Sequence, residues 1–327
     1  HDPDNDVTMH HIGMCLASKE DFDGAIAWFN KALAVKPLDP ITICVLGDAL
    51  LEKGDSDAAV ACYEKCLALE PDDAGVMGKI GRTLEAKGDY DAAVEWFRKS
   101  LEFDPGNDGT MQYIGLCLWY KKDLDGAIAW YEKSLAAKPR DPHTLGALGN
   151  VFLTKNDFES AIACYNEIME LDAGDAGVMF KLGWALEEKG SYDAAVEWFL
   201  KSLEHDPDND VTMHHIGMCL ASKEDFDGAI AWYEKSLAVK PRDPDTLCAL
   251  GNALLEKKDY ETAIAYFEQA YAIAPEDAEI PCFMGDAYRR KEDFRTAVVW
   301  YDKALILAPE DNDALKGRAA CMKVIAS

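Results

Sequence analysis

Two short runs carry metal-ligand residue types at helical spacing: His10, His11 and Cys15, and again His214, His215 and Cys219. A separation of four residues puts His11 with Cys15, and His215 with Cys219, on one face of a helix. An imidazole nitrogen and a thiolate would begin a zinc site there, but zinc needs three or four converging ligands and each run supplies two. Cys62 and Cys66 share the spacing and the shortage. Lys79, Arg82 and Lys181 form a small basic island in an acidic chain. The island suits a carboxylate or an acidic side chain; equally, it balances Glu85 and Glu187. No Gly-x4-Gly-Lys phosphate loop, Gly-x-Ser-x-Gly elbow or His-Glu-x2-His zinc helix occurs. The 60 acidic residues single out no pair for acid–base work. The expectation is a chain with no metal, no cofactor and no catalytic centre, so the elements that carry these residues must be read for binding.

Lys and Arg number 33 against those 60 acids, and the net charge is −27. Such a charge repels nucleic acid and anionic membranes. Apolar residues make up 49% of the 327, ample for a core, yet no apolar run nears the roughly 20 residues of a membrane span. The ten cysteines follow the helical repeat and form no disulfide framework of their own, which points to a reducing compartment and a cytoplasmic protein. No leader is visible, and the sequence opens at His1 in mid-repeat. Residues 1–37 repeat residues 205–241 except at Phe29/Tyr233, Asn30/Glu234 and Ala32/Ser236. We therefore expect a fragment, with residues 1–5 the end of a preceding, truncated repeat.

Prolines stand at 3, 37, 71, 105, 139, 207, 241, 275 and 309, spaced by 34 or twice 34, with Ala173 in the one gap. Glycine occupies 13, 47, 81, 115, 149, 183, 217, 251 and 285, each preceded by an aliphatic residue or Met. Alanine occupies 25, 59, 93, 127, 161, 195, 229, 263 and 297, and four residues after each comes Phe or Tyr. Lysine recurs from Lys19 to Lys291, where it complements the carboxyl end of a helix dipole. Two residues later Asp, or Ser191 in one unit, is placed to cap the next helix. Residues 6–311 thus hold nine helical hairpins, grouped by a second period into three blocks of 102 residues. One hairpin cannot bury its own apolar face, so the core comes from stacking. Residues 312–327 read as one further helix in which Arg318 takes an aliphatic position, as suits a capping helix with a solvated face. Nineteen helices in all are expected.

These columns resemble the tetratricopeptide family, whose pattern is W-x2-L-G-x2-Y…A-x3-F…P at a period of 34. The resemblance covers the whole chain; Met, Leu or Ile at the first large position and Pro281 are its departures. It implies an all-α, right-handed α-solenoid superhelix of antiparallel hairpins, with first helices lining a concave groove that holds a protein or peptide. Carried onto this sequence, the groove residues are Lys79, Arg82, Gln112, Tyr113, Leu116, Trp119, Tyr120, Asn150, Phe180, Lys181, Trp184, His214, Met218 and Asn252. Six of the eight tryptophans share one second-helix column and read as packing; Trp119 and Trp184 do not. Large aromatics are frequent anchors at interfaces, although filling space between first helices explains them equally well. The Lys-and-Asn pair with which some relatives grip a C-terminal carboxylate is missing, since Asn150 goes with Gly146 and Asn252 with Cys248. Two other functions remain as expectations: end-to-end self-association, and service as the regulatory arm of a larger enzyme.

Overall fold

A computed structural model describes residues 5–327. Among the described residues there are nineteen α-helices and no strand. The first helices of the hairpins are α1 (Asp6–Ala17), α3 (Pro40–Glu52), α5 (Ala74–Ala86), α7 (Asp108–Tyr120), α9 (Pro142–Thr154), α11 (Ala176–Glu188), α13 (Asp210–Ser222), α15 (Pro244–Glu256) and α17 (Glu279–Arg290). The second helices are α2 (Phe22–Val35), α4 (Ser56–Leu69), α6 (Tyr90–Phe103), α8 (Leu124–Ala137), α10 (Phe158–Leu171), α12 (Tyr192–His205), α14 (Phe226–Val239), α16 (Tyr260–Ile273) and α18 (Phe294–Leu307), and α19 (Asn312–Ala326) closes the series. The expected remnant of a preceding repeat lies outside the described residues, apart from Asn5, whose side chain caps α1.

Each hairpin is built by short-range chemistry. The first helix ends in a left-handed residue, such as Glu20, Gly54, Gly88 or Lys122. The next amide then reaches back five residues, as Asp55 N–H does to the Leu50 carbonyl at 2.9 Å. This reversal satisfies carbonyls that the helix end leaves open. The same Asp caps the second helix: Asp55 accepts from the Ala58 amide and Asp225 from the Gly228 amide. Ser191 occupies that position without making the side-chain bond.

The glycine column lets the two helices meet. The Phe97 ring lies so close to Gly81 that a Cβ there would sit 2.5 Å from it, and Gly217 stands likewise against Tyr233. Ala93 and Ala229 are fully buried at the same crossings. Serines finish the hairpin from its other end, Ser100 donating to the Ala74 carbonyl at 2.8 Å and Ser236 to that of Asp210 at 2.9 Å.

The lysine column does more than face a helix dipole. Seven of these lysines cap their first helix and reach back to the acid in the first turn of the preceding second helix: Lys53 to Asp23, Lys87 to Asp57, Lys121 to Asp91, Lys155 to Asp125, Lys223 to Asp193, Lys257 to Asp227 and Lys291 to Glu261. These pairs clasp one hairpin to the next. The tryptophan column carries a second regular contact, with the lysine one turn on lying over the indole, as Lys133 does over Trp130 at 4.0 Å.

Residues up to Glu167 and from Ile168 onward form two compact units, divided within α10. In each, second helices pack on the following first helices, and consecutive first helices touch. In the second unit α19 packs on α17 and α18, and Arg318 reaches Asp302 of α18 at 2.5 Å.

Candidate functional site

The residue after each column glycine points out of the hairpin. None of Met14, Asp48, Arg82, Leu116, Asn150, Trp184, Met218, Asn252 and Asp286 is buried, and Met14, Trp184 and Met218 are 40%, 37% and 40% exposed. Met14 in the first unit, and Trp184 and Met218 in the second, are large apolar side chains left in solvent at this recurring position.

In the first unit much of the expected set is already engaged. The Lys79 ammonium meets Asp48 of the preceding hairpin at 2.6 Å, so that cation is matched. Arg82 is exposed beside a cavity lined by Gly78, Phe97 and Tyr113. Gln112 donates to Thr144 at 2.7 Å and to Asp141 at 3.2 Å. Asp141 is buried. Burial raises its carboxyl pKa, but bonds from Lys138 and Thr144 outweigh this and hold it at about 2. Tyr113 stacks on Phe97 at 5.4 Å and Tyr120 on Tyr90 at 5.0 Å. Trp119 is half-buried against the core, as a space-filling residue would be, and Leu116 is half-buried beside it in sequence. Asn150 accepts the Tyr165 hydroxyl at 2.9 Å.

In the second unit Phe180 packs on Phe199 and on the edge of His215, at 5.5 and 5.3 Å. His215 Nδ1 lies 2.7 Å from Glu187, so that acid serves the histidine of the next hairpin. Lys181 is half-buried. Trp184 stays exposed, its indole N–H donating to Glu188 at 3.3 Å. His214 Nδ1 pairs with Thr246 at 2.8 Å, and burial, then the neighbouring His215, pushes its pKa down. Met218 and Asn252 line a cavity of about 410 Å³ with Phe226, Tyr233, Ala249 and Phe283. The aromatic residues of the expected groove thus divide: Tyr113, Trp119 and Tyr120 belong to the first unit, Phe180 and Trp184 to the second. Tyr90, Tyr233, Thr246 and Phe283 were missed. Tyr90, Thr246 and Phe283 lie about one repeat from Tyr120, His214 and Asn252, and Tyr233 lies across its own hairpin from Met218.

Among the described residues no three His, Cys, Asp or Glu side chains are arranged to hold a metal. Cys219 is buried, and burial, then Glu187, drives its thiol pKa far up, so it stays protonated. No described helix is long and apolar enough to cross a membrane.

Stacked antiparallel hairpins of fixed length, each locked by a glycine–aromatic crossing, define an α-solenoid of 34-residue repeats. The chain belongs to the tetratricopeptide repeat family. Family models described as tetratricopeptide repeat match residues 44–108 and 147–210, 208–276, 254–321, and 8–37 and 112–141. No curated protein sequence matches the chain. Among solved structures it is similar to the APC/C hetero-tetramer Cut9–Hcn1, at 16% identity over 97% of this chain and 76% of that one, with a TM-score of 0.55. It is similar to PilF of Pseudomonas aeruginosa at 20% identity over 66% and 98% of the two chains, with a TM-score of 0.54. It is also similar to YrrB, described as a TPR protein with an unusual peptide-binding site, at 23% identity over 60% and 97%, with a TM-score of 0.52. At these identities the likeness is one of fold.

Proposed function

We propose that this chain is a non-catalytic scaffold that holds an extended peptide or a partner protein against its first helices. The observation that carries this reading is the row of accessible residues after the glycines, with Met14, Trp184 and Met218 standing in solvent. Burying such side chains against a partner is favourable at roughly 25 cal/mol per Å² of apolar surface. The family and the peptide-binding description of YrrB support the same use of the face. Panning a random peptide library on the chain tests it. Enriched peptides are expected to lose affinity for Trp184→Ala or Met218→Ala, with Met14→Ala as the matching variant in the first unit. A library from which nothing enriches would overturn the scaffold reading.

The contrast between α1 and α13 supports self-association as a second reading. Residues 6–17 and 210–221 are identical in sequence. In α13, packed beneath α12, Thr212 and Cys219 are fully buried; in α1 Thr8 and Cys15 are exposed. An adjoining hairpin would cover that face, whether it belongs to the protein's own chain or, on this reading, to a second copy. Sedimentation velocity across a hundred-fold concentration range decides it, and a monomer throughout would exclude this mode.

A further inference from the structure

Within each hairpin the aromatic of the second helix sits behind the residue that follows the glycine, and in six of the nine a Tyr faces an acceptor or a Phe faces a residue that accepts nothing. Tyr63 donates to Asp48 at 2.8 Å, Tyr165 to Asn150 at 2.9 Å and Tyr301 to Asp286 at 2.7 Å. Where that residue is Met14, Arg82 or Trp184, the aromatic is Phe29, Phe97 or Phe199, with no hydroxyl to satisfy. The fourth, seventh and eighth hairpins break this match, and the seventh and eighth are neighbours that break it in opposite senses. Tyr233 stands behind Met218, which cannot accept its proton, and Phe267 stands behind Asn252, whose amide receives no hydroxyl.

The two mismatches meet in one place. Tyr233 and Asn252 both line the cavity of about 410 Å³ between α13, α15 and α17. Tyr233 is 2% exposed, and its raised pKa has burial as its largest cause and no hydrogen bond among its causes. Among the described residues no sealed-off polar side-chain atom lacks a partner. A tyrosine hydroxyl with no protein partner must therefore open onto the cavity. Met218, Phe226, Ala249, Leu255 and Phe283 give the rest of the lining an apolar part, and Ser222, Glu256, Asp286 and Arg290 give it a polar one. The charged groups of the lining are already paired, Arg290 with Glu256 at 2.9 Å and Asp286 with Arg289 at 2.7 Å.

We propose that this cavity is a subsite for one large, uncharged apolar residue of an extended peptide, with Tyr233 and Asn252 bonding that residue's own backbone. A hydroxyl donor and an amide that both donates and accepts complement the carbonyl and N–H of a peptide group. Met218 and Phe283 supply an adaptable apolar wall for the side chain. A charged side chain would find no free counter-ion and would lose its hydration. The fourth hairpin is an internal control. Tyr131 stands behind Leu116 and is equally unmatched, but the amide of the next hairpin, Asn150, is taken by Tyr165.

This inference rests on the scaffold reading, and the experiment separates the two. Peptides enriched from a random dodecapeptide phage library on the whole chain are synthesised and titrated by fluorescence anisotropy. The panel is the wild type, Tyr233→Phe, Asn252→Leu and Tyr131→Phe, each checked for an unchanged circular dichroism spectrum. A recurrent large apolar residue is expected, whose replacement by alanine weakens binding. Tyr233→Phe and Asn252→Leu should each weaken binding about three- to ten-fold, the worth of one neutral hydrogen bond, and Tyr131→Phe should leave it unchanged. Enriched peptides that bind all four proteins equally would overturn the subsite and leave the scaffold standing. Failure of any peptide to bind the wild type would overturn both.

Discussion

The Tyr63 hydroxyl donates to Asp48 at 2.8 Å across the inside of one hairpin, and Lys79 of the next hairpin reaches the same carboxylate at 2.6 Å. One acid thereby ties three helices, α3, α4 and α5. Asp48→Ala strands a buried hydroxyl and is expected to cost about 1–3 kcal/mol in urea unfolding. Tyr63→Phe, which removes the donor and leaves Lys79 to satisfy the acid, should cost less. Equal losses would contradict the expectation that a stranded buried hydroxyl costs more than a deleted one.

The glycine crossings predict a reversal of sign between two glycines of one helix. A Cβ at Gly81 would lie 2.5 Å from the Phe97 ring, whereas one at Gly78 meets nothing within 4 Å. Gly81→Ala is expected to destabilise by roughly 1–3 kcal/mol through overpacking. Gly78→Ala is expected to stabilise by roughly 0.5–1 kcal/mol by favouring the helix. Thermal melts of the two variants on opposite sides of the wild type would bear this out.

The hairpin turns carry strain that glycine would relieve. Glu224 and Lys258 hold φ of 62° and 65°, where Gly54 and Gly88 stand in other repeats. Side chains pay about 1–2 kcal/mol in that region. Glu224→Gly and Lys258→Gly should each raise the melting temperature, despite the freedom that glycine adds to the unfolded chain. An unchanged or lower midpoint for both would contradict the argument.

The lysine clasps are exposed, so their contribution is small and screened by salt. Lys257→Asp should lower the melting temperature at low ionic strength. The exchange Lys257→Asp with Asp227→Lys should recover most of the loss, and high salt should erase the difference. A single variant that is insensitive to salt would point to another cause.

Among the groups on which acid acts, His214 and Asp141 give separable tests. His214 has its pKa pushed below the free value of 6.5, first by burial. A lowered pKa means that the unfolded chain binds the proton more readily, so stability is full above about 6.5 and falls as pH drops below it. Asp141, held at about 2 from an ordinary 3.8, contributes above 3.8 an amount that is lost as pH falls towards 2. His214→Gln should flatten the stability profile of the chain between pH 7 and 5, measured by urea midpoints, and Asp141→Asn should flatten only the part below pH 4.

The repeat was legible in the sequence because its causes are local. Asp55 caps a helix that begins one residue later, Gly81 must pass Phe97 sixteen residues on, and the turn between them uses neighbours only. A fixed period carries these relations along the chain, which is why nineteen helices follow from the columns. The site was legible only in outline. The accessible column after the glycines follows from helical periodicity, but which of its members are engaged does not.

Tertiary stacking decided that. Lys79 is matched by Asp48 and His215 by Glu187, each across a hairpin boundary and about thirty residues away, where periodicity names a neighbour but not its polarity. The helices α1 and α13 make the point with no difference in sequence at all. The same twelve residues leave Cys15 exposed and bury Cys219, because burial in a stacked array is conferred by the adjoining hairpin and is not a property of the residue's own helix.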